Sequence, residues 1–201
     1  MQIINNIEQG TNEWLKLRLG IPTASNFNKI ITSKGGNSTQ INAYALELAS
    51  DTLILEPEES YKSSDMERGN ELEPEAREAY EQYTFNSVNI VSFIKENDCG
   101  YSPDGLVGEE GLIEIKCPQK KNHTEYLSKK TLPSAYKAQV QGGLMISGRK
   151  WCDFISYNPN FEEKNRLMII RVFRDEEFIY KLKEGIKKVN DIKNEILNKI
   201  V

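Results

Sequence analysis

The stretch YSPDGLVGEEGLIEIKCP (residues 101–118) decides how this chain is read. It has the apolar, glycine-rich character of two β-strands, yet Asp104, Glu114 and Lys116 sit inside it. Buried charges are costly without partners, so these three either lie on a wet face or are gathered for chemistry. Strand side chains alternate, which places Leu112, Glu114 and Lys116 on one face and Ile113 and Ile115 on the other. A three-residue connection at 108–110 sets Asp104 across from Glu114, with Cβ atoms about 5 Å apart. A two-residue connection would turn Asp104 to the wrong face unless a bulge at Gly105 restored it.

Two carboxylates so close repel each other. A divalent cation relieves the repulsion, and hard oxygen ligands suit magnesium or manganese. Lys116, one pleat on, can then hold a water or steady developing negative charge, as phosphodiester hydrolysis requires. The alternative is an exposed hairpin carrying an ordinary Glu–Lys pair.

Working outward, TNEWLKLRLG predicts a short helix with Thr11 as its cap and Gly20 as its stop. TASNFNKII predicts a second after Pro22, and residues 38–54 a third, with Ile41, Ala45, Leu48 and Ala49 at helical spacing. Residues 64–84 predict a longer helix with Pro74 inside it, followed by strands over 87–95, 99–107 and 111–116. A helix over 133–147, strands near 151–157 and 166–173, and an amphipathic helix from Asp175 onward complete the pattern. The order predicts an α/β (α+β) fold with a central mixed β-sheet flanked by helices, as one domain over residues 1–201.

Bulk composition bounds the function class. With 38% hydrophobic and 28% charged residues, the chain has the profile of a soluble globular protein. No apolar run approaches the roughly 18 residues of a membrane span, and MQIINNIEQG lacks a signal-peptide pattern, so a cytoplasmic location without membrane partners is expected. Three cysteines without C-x-x-C spacing and a single histidine speak against a disulfide framework, a zinc site or a histidine-based triad. The net charge of −4 argues weakly against nucleic acid. Basic residues nevertheless cluster at 120–130, just after the quoted strand, whereas many acids fall between Glu56 and Glu81.

Three further features bear on the carboxylate pair. In MERGNELEPEAREAY, Met66, Gly69, Glu73, Ala76 and Tyr80 share one helical face, which turns Glu73 inward as a third acid or pairs it with Arg77. In SAYKAQVQGG, Gln139 shares a face with Ala135, Gly142, Gly143 and Ile146; it either orients a water or phosphate or serves as a buried amide bonded to backbone. In WLKLRLGIPTAS, Arg18 lies one turn from Trp14, and Ser25 falls at the start of the next helix. With Ser102 they can cradle a terminal phosphate; an ion pair for Arg18 and simple capping by Ser25 are the alternatives.

EQGTNEWLKLRLGIPTAS, RGNELEPEAREAY, SPDGL…GLIEIKCP and SAYKAQVQ together resemble, in order, the motifs of the lambda-exonuclease or YqaJ-type viral recombinase family. The resemblance implies a restriction-endonuclease-like PD-(D/E)xK core. It implies a Mg²⁺-dependent 5′→3′ exodeoxyribonuclease, with Mn²⁺ as a substitute and two ions per site. Such an enzyme resects the 5′-phosphorylated strand of linear duplex DNA and leaves 3′ overhangs for recombination by single-strand annealing. Matched by motif, Asp104, Glu114 and the Ile115 backbone carbonyl are metal ligands, Glu73 is the helix acid, Lys116 the catalytic lysine and Gln139 the glutamine of the active centre. Arg18, Ser25 and Ser102 match the 5′-phosphate pocket, and Met66 the wedge at the DNA end.

The implied partners are double-stranded DNA ends, two further copies in a homotrimer, and a single-strand annealing protein. The implied setting is a phage or prophage gene expressed in a bacterial host. Two departures are visible: a further phosphate-binding arginine of the family is replaced near Asn122, and an acid expected before SPDG has no counterpart in FIKENDCGY. A structure-dependent DNA endonuclease on the same core is the alternative activity.

Overall fold

The computed structural model describes residues 1–57 and 63–200. Strand β1 (Gln2–Ile4) precedes α1 (Asn12–Arg18), whose first turn is capped by the Thr11 hydroxyl accepting from the Trp14 N–H. The second expected helix forms only as a 3₁₀ segment at Ala24–Lys29, and α2 (Ile41–Leu53) follows. Helix α3 (Ser64–Thr84) is capped by Ser63, whose hydroxyl accepts from the Met66 N–H, and contains Pro74.

The middle of the chain departs from the expected long strands. Residues 87–95 divide into β2 (Val88–Asn89) and β3 (Phe93–Glu96), and residues 99–107 into β4 (Cys99–Tyr101) and β5 (Gly105–Val107). The second break falls at Ser102-Pro103-Asp104, where proline has no N–H for a ladder. The two halves then join different sheets. β1, β3 and β4 form a three-stranded antiparallel sheet, whereas β2 and β5 belong to a five-stranded one.

That larger sheet runs β2-β5-β6-β7-β8, with β6 (Gly111–Lys116), β7 (Trp151–Tyr157) and β8 (Leu167–Phe173). It is mixed: β6 and β7 are parallel and the remaining neighbours antiparallel. A parallel pair needs a long crossover. Residues between β6 and β7 supply it as α4 (Lys120–Lys129), a helix the sequence reading omitted, a 3₁₀ turn at Ser134–Tyr136, and α5 (Lys137–Ser147). A short α6 (Glu163–Arg166) precedes β8, and α7 (Glu176–Leu197) ends the fold.

The hairpin register is the expected one. Gly105 opposes Ile113 and Val107 opposes Gly111, so the turn is the residues 108–110, with Gly108 at φ +50°. Both faces of β6 are buried. Leu112 packs with Phe154 and Leu144 on one side, while Ile113 and Ile115 pack with Ala76 and Tyr80 of α3 on the other. A centrally placed, doubly covered strand reads as a nearly continuous apolar run, which isolates Glu114 as the exception. Helix α7 adds Phe178, Leu182, Ile186 and Val189 to the first core, which gives the C-terminal region a packing role. No helix among the described residues is long and apolar enough to cross a membrane.

Candidate active site

Glu114 is only 1% exposed, and its carboxylate accepts three hydrogen bonds. Its Oε1 accepts from Lys116 Nζ and from Gln139 Nε2, each at 2.5 Å, and its Oε2 accepts from the Tyr101 hydroxyl at 3.1 Å. The glutamine thus bonds a carboxylate rather than backbone. Gly142 and Gly143 explain how α5 comes so near, since a Cβ at either would lie under 3 Å from the Phe27 or Tyr101 ring. The Tyr101 ring occupies the space that Gly143 leaves open.

Asp104 follows from the strand break. One residue before β5, it stands opposite Glu114 in register, and its Oδ2 accepts the Ile115 N–H at 2.6 Å. The side chain replaces the ladder partner that β5 would have provided. N–H and C=O of a strand residue point the same way, so the Ile115 carbonyl faces this same gap. Burial, then the Glu114 carboxylate, push the Asp104 carboxyl well above its ordinary value. Burial works to lower Lys116, but Glu114 and Asp104 outweigh it and hold the ammonium more firmly protonated than usual.

Helix α3 brings the third acid. Glu73 is raised by burial against the opposing pull of Arg77 and Lys116. Arg77 pairs with it one turn on, and its Nε also donates to the Asp104 backbone carbonyl at 3.1 Å. Both readings of Glu73 therefore hold together: it lines the cleft and it is paired. Arg68 fastens the same helix to the exit of β6 by donating to the Cys117 carbonyl at 2.6 Å.

A second cluster lies at the other end of the cleft. Arg18 donates to Ser102 Oγ at 3.1 Å, to Ser25 Oγ at 3.2 Å and to Thr23 Oγ1 at 3.4 Å. Its guanidinium sits 4.2 Å over the Trp14 ring, and the indole N–H donates to Ser102 Oγ at 3.1 Å. Burial lowers the Arg18 pKa to about 10. The expected trio thus meets, and hydroxyls rather than an ion pair surround the arginine. Ser25 is engaged by Arg18 rather than by helix capping.

One cleft of about 530 Å³ is lined by Arg18, Ser25, Ser102, Met66, Glu73, Asp104, Ile115, Lys116 and Gln139. Glu114 lies behind Lys116 and Gln139 instead of on the wall. Met66, expected on the inward stripe of α3, is 53% exposed at the cleft, while Ala76 and Tyr80 further along are fully buried. Asn122 also lines the cleft. Tyr101, Arg77 and Trp14, to which the sequence assigns no catalytic or binding role, contact Glu114, Glu73 and Arg18 respectively. The helical spacings of Trp14 from Arg18 and of Arg77 from Glu73 hint at two of them.

The donor set suits a hard divalent cation. Asp104, Glu114 and Glu73 outnumber the cations Lys116 and Arg77, and the Ile115 carbonyl supplies a neutral oxygen. Among the described residues no three of His, Cys, Asp and Glu close into a ready metal cage. Magnesium retains waters and is held by one or two carboxylates, so it does not demand such a cage.

The fold is that of the alkaline exonucleases. The alkaline exonuclease LHK-Exo from Laribacter hongkongensis is 32% identical, with a TM-score of 0.87 over 94% of this chain and 96% of the other. The structure of LHK-Exo in complex with dAMP superposes at a TM-score of 0.86, with 32% identity over 94% and 96%. A phage related exonuclease from Haemophilus somnus 129PT shares the fold alone, at 16% identity and a TM-score of 0.77 over 90% and 96%. A comparison with curated proteins returned no match. The sequence profile of the YqaJ-like viral recombinase domain matches residues 13–150, and the chain belongs to that family.

Proposed function

We propose that this protein is a Mg²⁺-dependent 5′→3′ exodeoxyribonuclease of the PD-(D/E)xK type, resecting the 5′-phosphorylated strand of linear duplex DNA. The observation that carries this reading is one cleft lined by Asp104 and Glu73 and by Arg18, whose hydrogen bonds among the described residues go to hydroxyls. The first suits a cation and the second an anion. A nucleic-acid end with a terminal phosphate needs both.

Asp104, Glu114 and the Ile115 carbonyl would hold the metal, with Glu73 reaching it through water. Two ions there would supply water activation and charge for the leaving oxygen. Arg18, Ser25 and Ser102 bind the 5′-phosphate and so set the next phosphodiester over the acids. Lys116, firmly protonated, donates hydrogen bonds to the attacking water and to negative charge on the phosphate. Gln139 and Tyr101 fix the Glu114 carboxylate, and Met66 stands where the duplex end would be pried apart. Family membership supports a homotrimer and an annealing protein as partners.

Linear 5′-phosphorylated duplex with Mg²⁺ should be degraded while closed circular duplex persists, and EDTA should stop the reaction. Rapid cleavage of closed circles would favour the endonuclease instead.

A further inference from the structure

We propose that a groove between α7 and the β3–β4 turn, outside the catalytic cleft, is a docking site for a short extended peptide segment of a partner protein. The groove encloses about 450 Å³ and shares no lining residue with the cleft. Its floor is apolar, with Cys99, Ile146 and Ile186 all buried.

Asn190 singles this groove out. It sits on the buried stripe of α7 with Ile186 and Val189, is only 8% exposed, and lines the groove. Its Oδ1 is buried with no hydrogen-bond partner among the described residues. An unmet buried acceptor destabilises a fold, and an apolar side chain of the same shape would remove that cost. An amide kept in this position points to a ligand that pairs with it. Asparagine offers an acceptor and a donor together, which match the N–H and C=O of one peptide unit.

Charge around the mouth defines the rest of the ligand. Lys183 and Lys187 are exposed along one part of α7, and Asp191 is exposed further on. Asp98 lies at the acidic end, since it pulls the Lys193 pKa up against the effect of burial. From Lys183 to Asp191 the helix rises about 12 Å, the span of about four extended residues. The matching peptide carries an acidic side chain at one end, an apolar one over Ile146 and Ile186, and a basic one at the other.

The test is fluorescence anisotropy with the full chain and two labelled peptides, acetyl-Glu-Gly-Leu-Gly-Lys-amide and its reverse, acetyl-Lys-Gly-Leu-Gly-Glu-amide. One of the two should bind, and glycine in place of its leucine should weaken it about tenfold or more. Asn190→Leu should weaken binding about tenfold and leave cleavage of linear duplex unchanged. It should also raise the melting temperature by about 2–4 °C, because it removes the unmet acceptor. Lys187→Glu, on the exposed side of α7, keeps the core intact and should weaken binding about threefold or more. Equal binding of the leucine and glycine peptides, undiminished binding by either variant, or a lower melting temperature for Asn190→Leu would overturn the docking site. A changed solution mass in Lys187→Glu, with no peptide bound by wild type, would give the groove to a second copy and overturn it too.

Discussion

The two ends of the cleft solve opposite electrostatic problems with different materials. The acid end is a dense network in which Glu114 accepts three hydrogen bonds and Arg77 ties Glu73 to the Asp104 backbone. Burial and the neighbouring carboxylate of Glu114 raise the Asp104 and Glu73 pKa values, against the opposing pull of Lys116 and Arg77. The arginine end is sparse. Arg18 has hydroxyl partners and an indole ring, and among the described residues no ion pair to it is recorded. Burial raises Asp104 and Glu73 and lowers Arg18, so desolvation disfavours the charged form in both places. Titratable groups perturbed by burial and by specific charged neighbours within one cleft mark a candidate functional site.

The most severe way to break this comparison is at the acid end. Lys116→Met removes the only ammonium bonded to Glu114 among the described residues and should lower single-turnover cleavage on the order of 10²–10³-fold. A variant that keeps its fold by circular dichroism and cleaves at the wild-type rate would separate Lys116 from the chemistry. The arginine end should respond differently, through end recognition rather than chemistry. Arg18→Ala removes a charged hydrogen-bond donor worth about 1.5–3 kcal/mol, so the preference for 5′-phosphate over 5′-hydroxyl ends should shrink by about 10–100-fold. Paired digestion of the two substrates checks this; an unchanged preference would dissolve the distinction between the ends.

Much of this arrangement was legible because it rests on short-range rules. The 108–110 turn and alternation along β6 suffice to set Asp104 opposite Glu114, and the capped run from Ser63 to Thr84 delivers α3 with its bounds. What escaped depends on contacts across the chain. Proline and aspartate at 103–104 divide one expected strand between two sheets, a decision made by Asp104 bonding Ile115 eleven residues later. Helix α4 is hard to see because only His123 is fully buried among its lysines. Tyr101 reads as an ordinary core aromatic until α5 brings Gly143 beneath it. Arg77 reads in sequence only as a possible partner of Glu73; its second bond, to the Asp104 carbonyl, depends on a contact 27 residues away.

A smaller effect sharpens the comparison from outside the cleft. His123 anchors the lysine-bearing α4 to β7 and to α6, with Nδ1 at 2.7 Å from Ser156 Oγ and Nε2 at 2.8 Å from the Asn165 carbonyl. Burial lowers its pKa below the ordinary histidine value. The folded state therefore binds the proton less readily than the unfolded chain. The stability this contributes is present above the unfolded pKa of about 6.5 and is lost as pH falls through the lower folded value. Thermal melts from pH 7.5 downward should show this loss, and His123→Gln should flatten it. Equal slopes for wild type and variant would remove His123 from the acid sensitivity.

In the proposed enzyme, Asp104, Glu114 and the Ile115 carbonyl would hold a divalent ion beside Arg18, Ser25 and Ser102. Anomalous diffraction from crystals soaked in Mn²⁺ tests it most directly. A manganese peak within bonding distance of those three groups, with Glu73 close behind, is the predicted result. Crystals that take up manganese elsewhere, with Asp104 and Glu114 turned apart and no peak between them, would contradict it.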